Sequence, residues 1–275
     1  MTRSYTPWLL LAVALVLAAI YLFPLYWMYV TSLKGGSEIY ANPPTFWPLN
    51  PDPGIYPGVW ARRTMPVYLW NSLVIAGGVT AITVILGTGC AYVLARYRNA
   101  WIDVGLFCVL MLQVLPASVM VTPLFVGFNQ VGLLNYPRTA VVLATAAKAM
   151  PFFVVLVRAT FMSVPRELEE AALVDGNSRV GAFFTIVLPL ARNGILVCAI
   201  LTFMSAFGEY IYSKSIIQSP NLQPASVGLS GFLGPNSSDW NAIMAYAAIY
   251  VTPILAAFVI LQRRIVAGLT SGALK

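Results

Sequence analysis

Six apolar runs, at about residues 8–30, 69–95, 102–128, 139–162, 189–213 and 241–262, limit what this chain can fold into. Each is long enough to cross a bilayer, which takes about 20 apolar residues. In hydrocarbon every backbone N–H and C=O has to find its partner within the spanning segment, so such runs fold as helices. The expected fold is all-α and membrane-embedded, with six spans in one transmembrane domain over residues 1–275. Only 9% of the residues are charged, against about 25% in soluble domains. The first run follows Arg3, is longer than a signal-peptide core and lacks a small-x-small cleavage site, so it reads as a retained span.

Lys and Arg orient the spans. With the N-terminus in the cytoplasm, ten fall on the inner side (Arg3, Arg96, Arg98, Arg158, Arg166, Arg179, Arg192, Arg263, Arg264, Lys275) and five on the outer side. The positive-inside rule therefore places both termini in the cytoplasm. The net charge of +7 comes from bases scattered singly or in pairs, a pattern that membrane orientation explains and nucleic-acid binding does not. Cys90, Cys108 and Cys198 all sit in apolar runs and the chain has no histidine. Disulfides, a Cys/His metal site and histidine-based catalysis are therefore not expected. No carboxylate pair or nucleophile-base set stands out, and no Gly-x-x-x-x-Gly-Lys-Ser/Thr loop is present to cradle a nucleotide.

Between the first two spans, residues 31–68 are rich in proline and aromatics, which suits an ordered cap or aromatic belt at the membrane face. Gly77, Gly78, Gly87, Gly89 and Ala91 make the second span thin enough for close helix packing. Gln113, Pro116 and Pro123 mark the third span as bent and polar-flecked, either a channel wall or a packing kink. Lys148 and Glu209 are the charges placed deepest in spans, and ionisable groups there are functional candidates. At 1.5 Å per residue both lie within about 13 Å of the outer face. Matched depth and opposite sign suggest an ion pair flanking a pathway.

The remaining strong feature is residues 165–190. Arg166, Glu167, Glu169, Glu170, Asp175 and Arg179 fall within fourteen residues, so this stretch faces water. Pro165 suits the start of a helix, and the glutamates suit its first turns. Val164, Leu168, Ala171 and Ala172 share one face, with Glu167 and Glu170 opposite. Gly176 is placed to take the left-handed conformation that ends a helix, and Ser178 to cap a second helix running towards Leu188.

The combination Glu170-Ala171-Ala172-x-x-Asp175-Gly176, followed by Leu188-Pro189-Leu190, resembles the coupling motif of binding-protein-dependent ABC import permeases. It sits, as in that family, between the fourth and fifth of six spans. Asn177 and Asn193 stand where alanine and a second proline are common. The resemblance extends to Asn71-Ser72, to Pro116, Pro123 and Gly132 through Asn135, and to Phe203 through Tyr212. The tail Gly268-Leu269-Thr270-Ser271-Gly272 is similar to that of maltose-type carbohydrate permeases.

The resemblance implies that segment 165–188 forms a coupling helix docking on an ATPase subunit through Glu167, Glu170, Ala171, Ala172, Asp175 and Gly176. It implies that Leu269, Thr270, Ser271 and Gly272 reach the ATPase dimer. It also implies that the loop with Phe232, Leu233, Gly234, Pro235 and Asn236 meets an extracytoplasmic substrate-binding protein. Partners would be an ATPase dimer, a second homologous permease, the binding protein and membrane lipid. ATP and Mg would sit on the ATPase, with no cofactor or metal on this chain. The expected role is import of a sugar or oligosaccharide across a bacterial cytoplasmic membrane by alternating access. Glycerol-phosphate-type or other polar solutes, and an ion-coupled carrier using Lys148 and Glu209 as a relay, stand as alternatives.

Overall fold

A computed structural model describes residues 6–62, 64–97, 99–232 and 239–271, apart from the side chains of 6, 7, 62 and 264–271. All regular structure among the described residues is helical. Five helices are long and apolar enough to cross a membrane, and a sixth span exists if one sharply bent pair counts as one. Contacts divide the chain into two compact units, residues 1–66 with 228–253, and residues 67–227 with 254–275.

In the first unit, α1 (Thr6–Ser32) is an apolar helix with lipid-type residues on all sides. Two short helices follow, α2 (Gly36–Ile39) and α3 (Ile55–Arg62). The segment between them lacks regular structure because prolines remove its backbone donors. Side chains supply the order instead. The Glu38 carboxylate accepts from the Thr45 hydroxyl at 2.8 Å and the Leu49 amide at 3.0 Å. Lys34 is buried, donates to the Thr45 carbonyl and lies 4.6 Å from the centre of the Trp27 ring. Tyr29 bonds Thr252 at 2.7 Å. Tyr40, Phe46, Trp47 and Leu49 remain exposed, the composition of an interfacial aromatic belt.

The second unit holds most of α4 (Met65–Arg96), then α5 (Ala100–Met111), α6 (Ala117–Gln130), α7 (Pro137–Met162) and α8 (Arg166–Val174). It continues with α9 (Arg179–Ala182), α10 (Leu188–Phe207) and α11 (Ile211–Ile216). The short α12 (Ala225–Ser230) and the long α13 (Trp240–Ser271) complete the chain. Close approach depends on missing side chains. A Cβ at Gly87 would stand 2.6 Å from the Phe153 ring, and one at Gly194 2.5 Å from Thr160. Phe153, Val157 and Phe161 of α7 thereby pack with Ala91, Ala95, Ala191 and Ile195 in one buried cluster.

Two proline positions shape the spans. Between α5 and α6 the axis turns by 98°, since Pro116 holds itself and Leu115 in extended conformations. The expected bent third span is thus a broken one. Around Pro189 the opposite happens. The chain runs helical from Arg179 to Phe207, passing through a π-turn at Phe183–Val187. Pro189 cannot donate to the preceding turn, and the wider turn relieves that clash. The fifth span therefore starts ten residues before Pro189, and its helix ends at Phe207 rather than at 213.

Candidate functional site

The charged island folds as a helix, a left-handed turn and the start of the next helix. Gly176 has φ +88°. Its amide donates to the Leu173 carbonyl at 3.1 Å, and the Asn177 amide donates to Ala172 at 2.9 Å. Those two bonds close the last turn of α8 in the Schellman pattern. Ser178 then caps α9, its hydroxyl accepting from the Gly181 amide at 3.0 Å.

The inward face of α8 is not the one that apolar spacing suggests. Ala172 is buried, but Leu168 is 45% exposed and Ala171 is also exposed. Glu169 turns inward instead. Its carboxylate receives the Arg96 guanidinium at 2.7 Å and the Tyr92 hydroxyl, both from the end of α4. Arg96 also donates to the carbonyls of Phe161 and Val164 at 3.3 and 3.5 Å. In return Arg158 of α7 donates to Leu94 at 3.1 Å and ion-pairs with Asp103 at 2.7 Å. Arg166 of α8 donates to the Arg96 carbonyl at 2.6 Å. The carbonyl ends of α4 and α7, which carry the negative pole of each helix, are thus cross-capped by arginines.

This joint was hidden in the sequence because Arg96 and Arg158 read as orienting charges at span ends. The available signal was the spacing of Glu169 and Ala172, three residues apart on one face. Glu167, Glu170, Asp175 and Gly176 remain on the water side. So do two apolar side chains, Leu168 and Val174 (87% exposed), while Val180 and Phe184 are exposed at the start of the fifth span. A shallow groove runs beside them, lined by Leu168, Ala171, Ala172, Asp175, Gly176 and Asn177.

Elsewhere in the same unit a cavity of about 600 Å³ opens between the break after α5 and helices α7, α10 and α11. Gln113, Lys148 and Glu209 all line it. Lys148 and Glu209 do not form an ion pair. Glu209 sits in the break after α10 and caps α11, with one oxygen accepting from the Tyr212 amide at 2.7 Å. The other accepts from the Ser213 amide at 2.9 Å and hydroxyl at 2.5 Å. A carboxylate at a helix N-terminus is stabilised there without a cation. In α7, Pro151 cannot satisfy the carbonyl of Ala147 and opens the local turn. Gln113 donates to the adjacent Lys148 carbonyl at 2.5 Å.

Asn71 and Ser72, flagged in sequence, are fully buried structural residues. Asn71 donates to the carbonyls of Asn221 and Gln223, each at 2.9 Å, and Ser72 accepts from the Ala225 amide. Of the expected binding-protein loop, Phe232 is described and half-buried, whereas Leu233, Gly234, Pro235 and Asn236 lie outside the described residues. Leu269, Thr270 and Ser271 belong to the last turns of α13, and Gly272 lies outside the described residues.

Long apolar helices around a cavity, with a charged helix pair at the end of two spans, are the architecture of a polytopic membrane protein. The chain belongs to the family described as binding-protein-dependent transport system inner membrane component, which matches residues 83–271. It is accordingly a multi-pass protein of the cytoplasmic membrane. It is 32% identical over 92% of its length to the sulfoquinovosyl glycerol transport system permease protein of Agrobacterium fabrum, covering 89% of that protein. It is likewise 32% identical to the trehalose/maltose transport system permease protein of Thermococcus litoralis, over 97% of this chain and 96% of the relative. Among solved structures, a bacterial ABC transporter for import of the acidic polysaccharide alginate has a chain of the same fold. Its TM-score is 0.78 at 19% identity, over 96% of this chain and 98% of that one.

Proposed function

We propose that this chain is the permease subunit of an ATP-driven sugar importer, with α8 as the coupling helix and the cavity as part of the solute pathway. Its termini face the cytoplasm, as the distribution of Lys and Arg requires. The observation that carries the coupling role is the exposed apolar pair Leu168 and Val174 within the most charged stretch of the chain. Those side chains cannot face lipid there, so they call for a protein partner. An ATPase subunit fits, with Glu167 and Glu170 on the rim. ATP and Mg belong to that subunit, because this chain has no loop to cradle phosphates. A second, homologous permease would complete the pathway, and a loaded extracytoplasmic binding protein would deliver the solute. The sugar class is suggested by relatives named for sulfoquinovosyl glycerol and for trehalose and maltose. An ion-coupled carrier loses its relay, since Glu209 is committed to capping α11.

The test is co-purification of the detergent-solubilised chain from its native membrane, comparing wild type with Val174→Glu and Glu170→Lys. Wild type should bring down an ATPase and a second permease. Both variants should lose the ATPase while keeping the permease. Recovery of the chain alone in every case refutes the reading.

A further inference from the structure

Two charged side chains, Lys148 and Glu209, line the cavity, and only Glu209 has hydrogen-bond partners among the described residues. Glu209 receives three hydrogen bonds from Tyr212 and Ser213. Lys148 is exposed to the cavity, and its ammonium has no hydrogen bond or ion pair among the described residues. Gln113, which lines the same cavity, donates to its backbone carbonyl at 2.5 Å. It stands near the middle of α7, a 26-residue span. A charge at that depth is costly unless a partner or a water-filled path meets it. Among the described residues of this unit the ion pairs are Arg96–Glu169 and Arg158–Asp103, and both lie elsewhere. Aromatic rings supply the neighbouring wall, with Phe152 56% exposed and Tyr210 40% exposed. Apolar faces beside an unpaired ammonium suit a partly apolar ligand that carries a negative group.

We infer that the solute is an anionic glycoside, bearing a carboxylate, sulfonate or phosphate, and that Lys148 is its charge partner during passage. This rests on the reading of the cavity as the solute pathway. Both oxygens of Glu209 are occupied by donors of α11, so Lys148 is the charged group of this cavity left without a partner among the described residues, and a single ammonium neutralises one anionic group at a time. Release follows readily because one charge contact in a wet cavity is easily exchanged with water.

The test uses the complete transporter in proteoliposomes, with this chain, its partner permease, ATPase and binding protein. Uronate, sulfonate and phosphate glycosides are offered beside their neutral parents, first to the binding protein by thermal shift and then for uptake. At least one anionic member should load the binding protein, and Lys148→Met should cut its uptake at least tenfold. Lys148→Arg should keep more than half of it, and the loss in Lys148→Met should shrink as salt screens the charge. A binding protein loaded only by neutral sugars overturns the inference and leaves the importer standing. So does equal loss for charged and neutral solutes in Lys148→Met, which would mean that Lys148 pairs with the partner permease. Absence of any ATPase stimulation by loaded binding protein, in wild type, overturns the importer reading itself.

Discussion

Replacing Arg96 by alanine should loosen α8 from the end of α4 while leaving the apolar core intact. The Arg96 and Glu169 side chains keep only 13% and 14% of their surface exposed. Breaking a fully buried pair from one side costs about 3–5 kcal/mol, whereas an exposed pair contributes about 0.2–1 kcal/mol. At this burial, near the water boundary, a loss of about 2 kcal/mol is appropriate. Glu169 would retain the Tyr92 hydroxyl, but the carbonyls of Phe161 and Val164 would lose their shared donor. Two kcal/mol corresponds to a population change of about thirtyfold, at 1.36 kcal/mol per factor of ten. Amide exchange across residues 166–176, measured by mass spectrometry on the assembled transporter in nanodiscs, should therefore accelerate about thirtyfold. Helix α7 around Phe153 should not change. Glu169→Ala should produce a similar effect, and the double variant should be far from additive, since both remove one interaction. Additive effects, or less than threefold acceleration in Arg96→Ala, would refute the joint.

Gly176→Ala should destabilise the turn by about 1–2 kcal/mol through its left-handed backbone alone, because a Cβ there meets nothing within 4 Å. Asn at this position should cost less than Ala, and uptake per ATP hydrolysed is the readout. Gly194→Ala drives a methyl into Thr160 at 2.5 Å, so about 1–3 kcal/mol of overpacking is expected in the thermal unfolding of the purified chain. Thr160→Ser should recover part of it. Glu38 titrates below the usual carboxylate value of 4.5, because its charged form accepts from the Leu49 amide first and the Thr45 hydroxyl second. A lowered folded value means the ordering of segment 33–52 is present above pH 4.5 and lost as pH falls through that depressed value. Limited proteolysis of that segment should increase below pH 4.5, and Glu38→Gln should remove the pH dependence.

The apolar runs at 8–30, 69–95, 139–162 and 241–262 each correspond to a long helix, since a bilayer-spanning run has no other way to satisfy its backbone. Gly176 and Ser178 were equally legible, because a left-handed C-terminus and a side-chain cap are decided within a few residues of chain. Proline was only half-readable. That it perturbs a span follows from its missing N–H, but whether the helix breaks by 98° at Pro116 or absorbs the fault in a π-turn before Pro189 depends on the surrounding packing.

Glu209 shows the same boundary. Residue type and depth identified it as exceptional, yet its matching donors lie on α11 rather than on Lys148. Charge pairing within a bundle is set by which helix end stops where, and a span that ends at Phe207 carries its next carboxylate to a new helix N-terminus. The inward turn of Glu169 belongs to tertiary structure too, since Arg96 meets it from a residue 73 positions away in the chain. The sequence by itself determined the membrane helices, the water-facing island and its caps, all of which follow from local solvation and backbone chemistry. Only the tertiary structure decided which charges meet and which, like Lys148, are left facing the cavity, because that depends on distances between segments far apart in the chain.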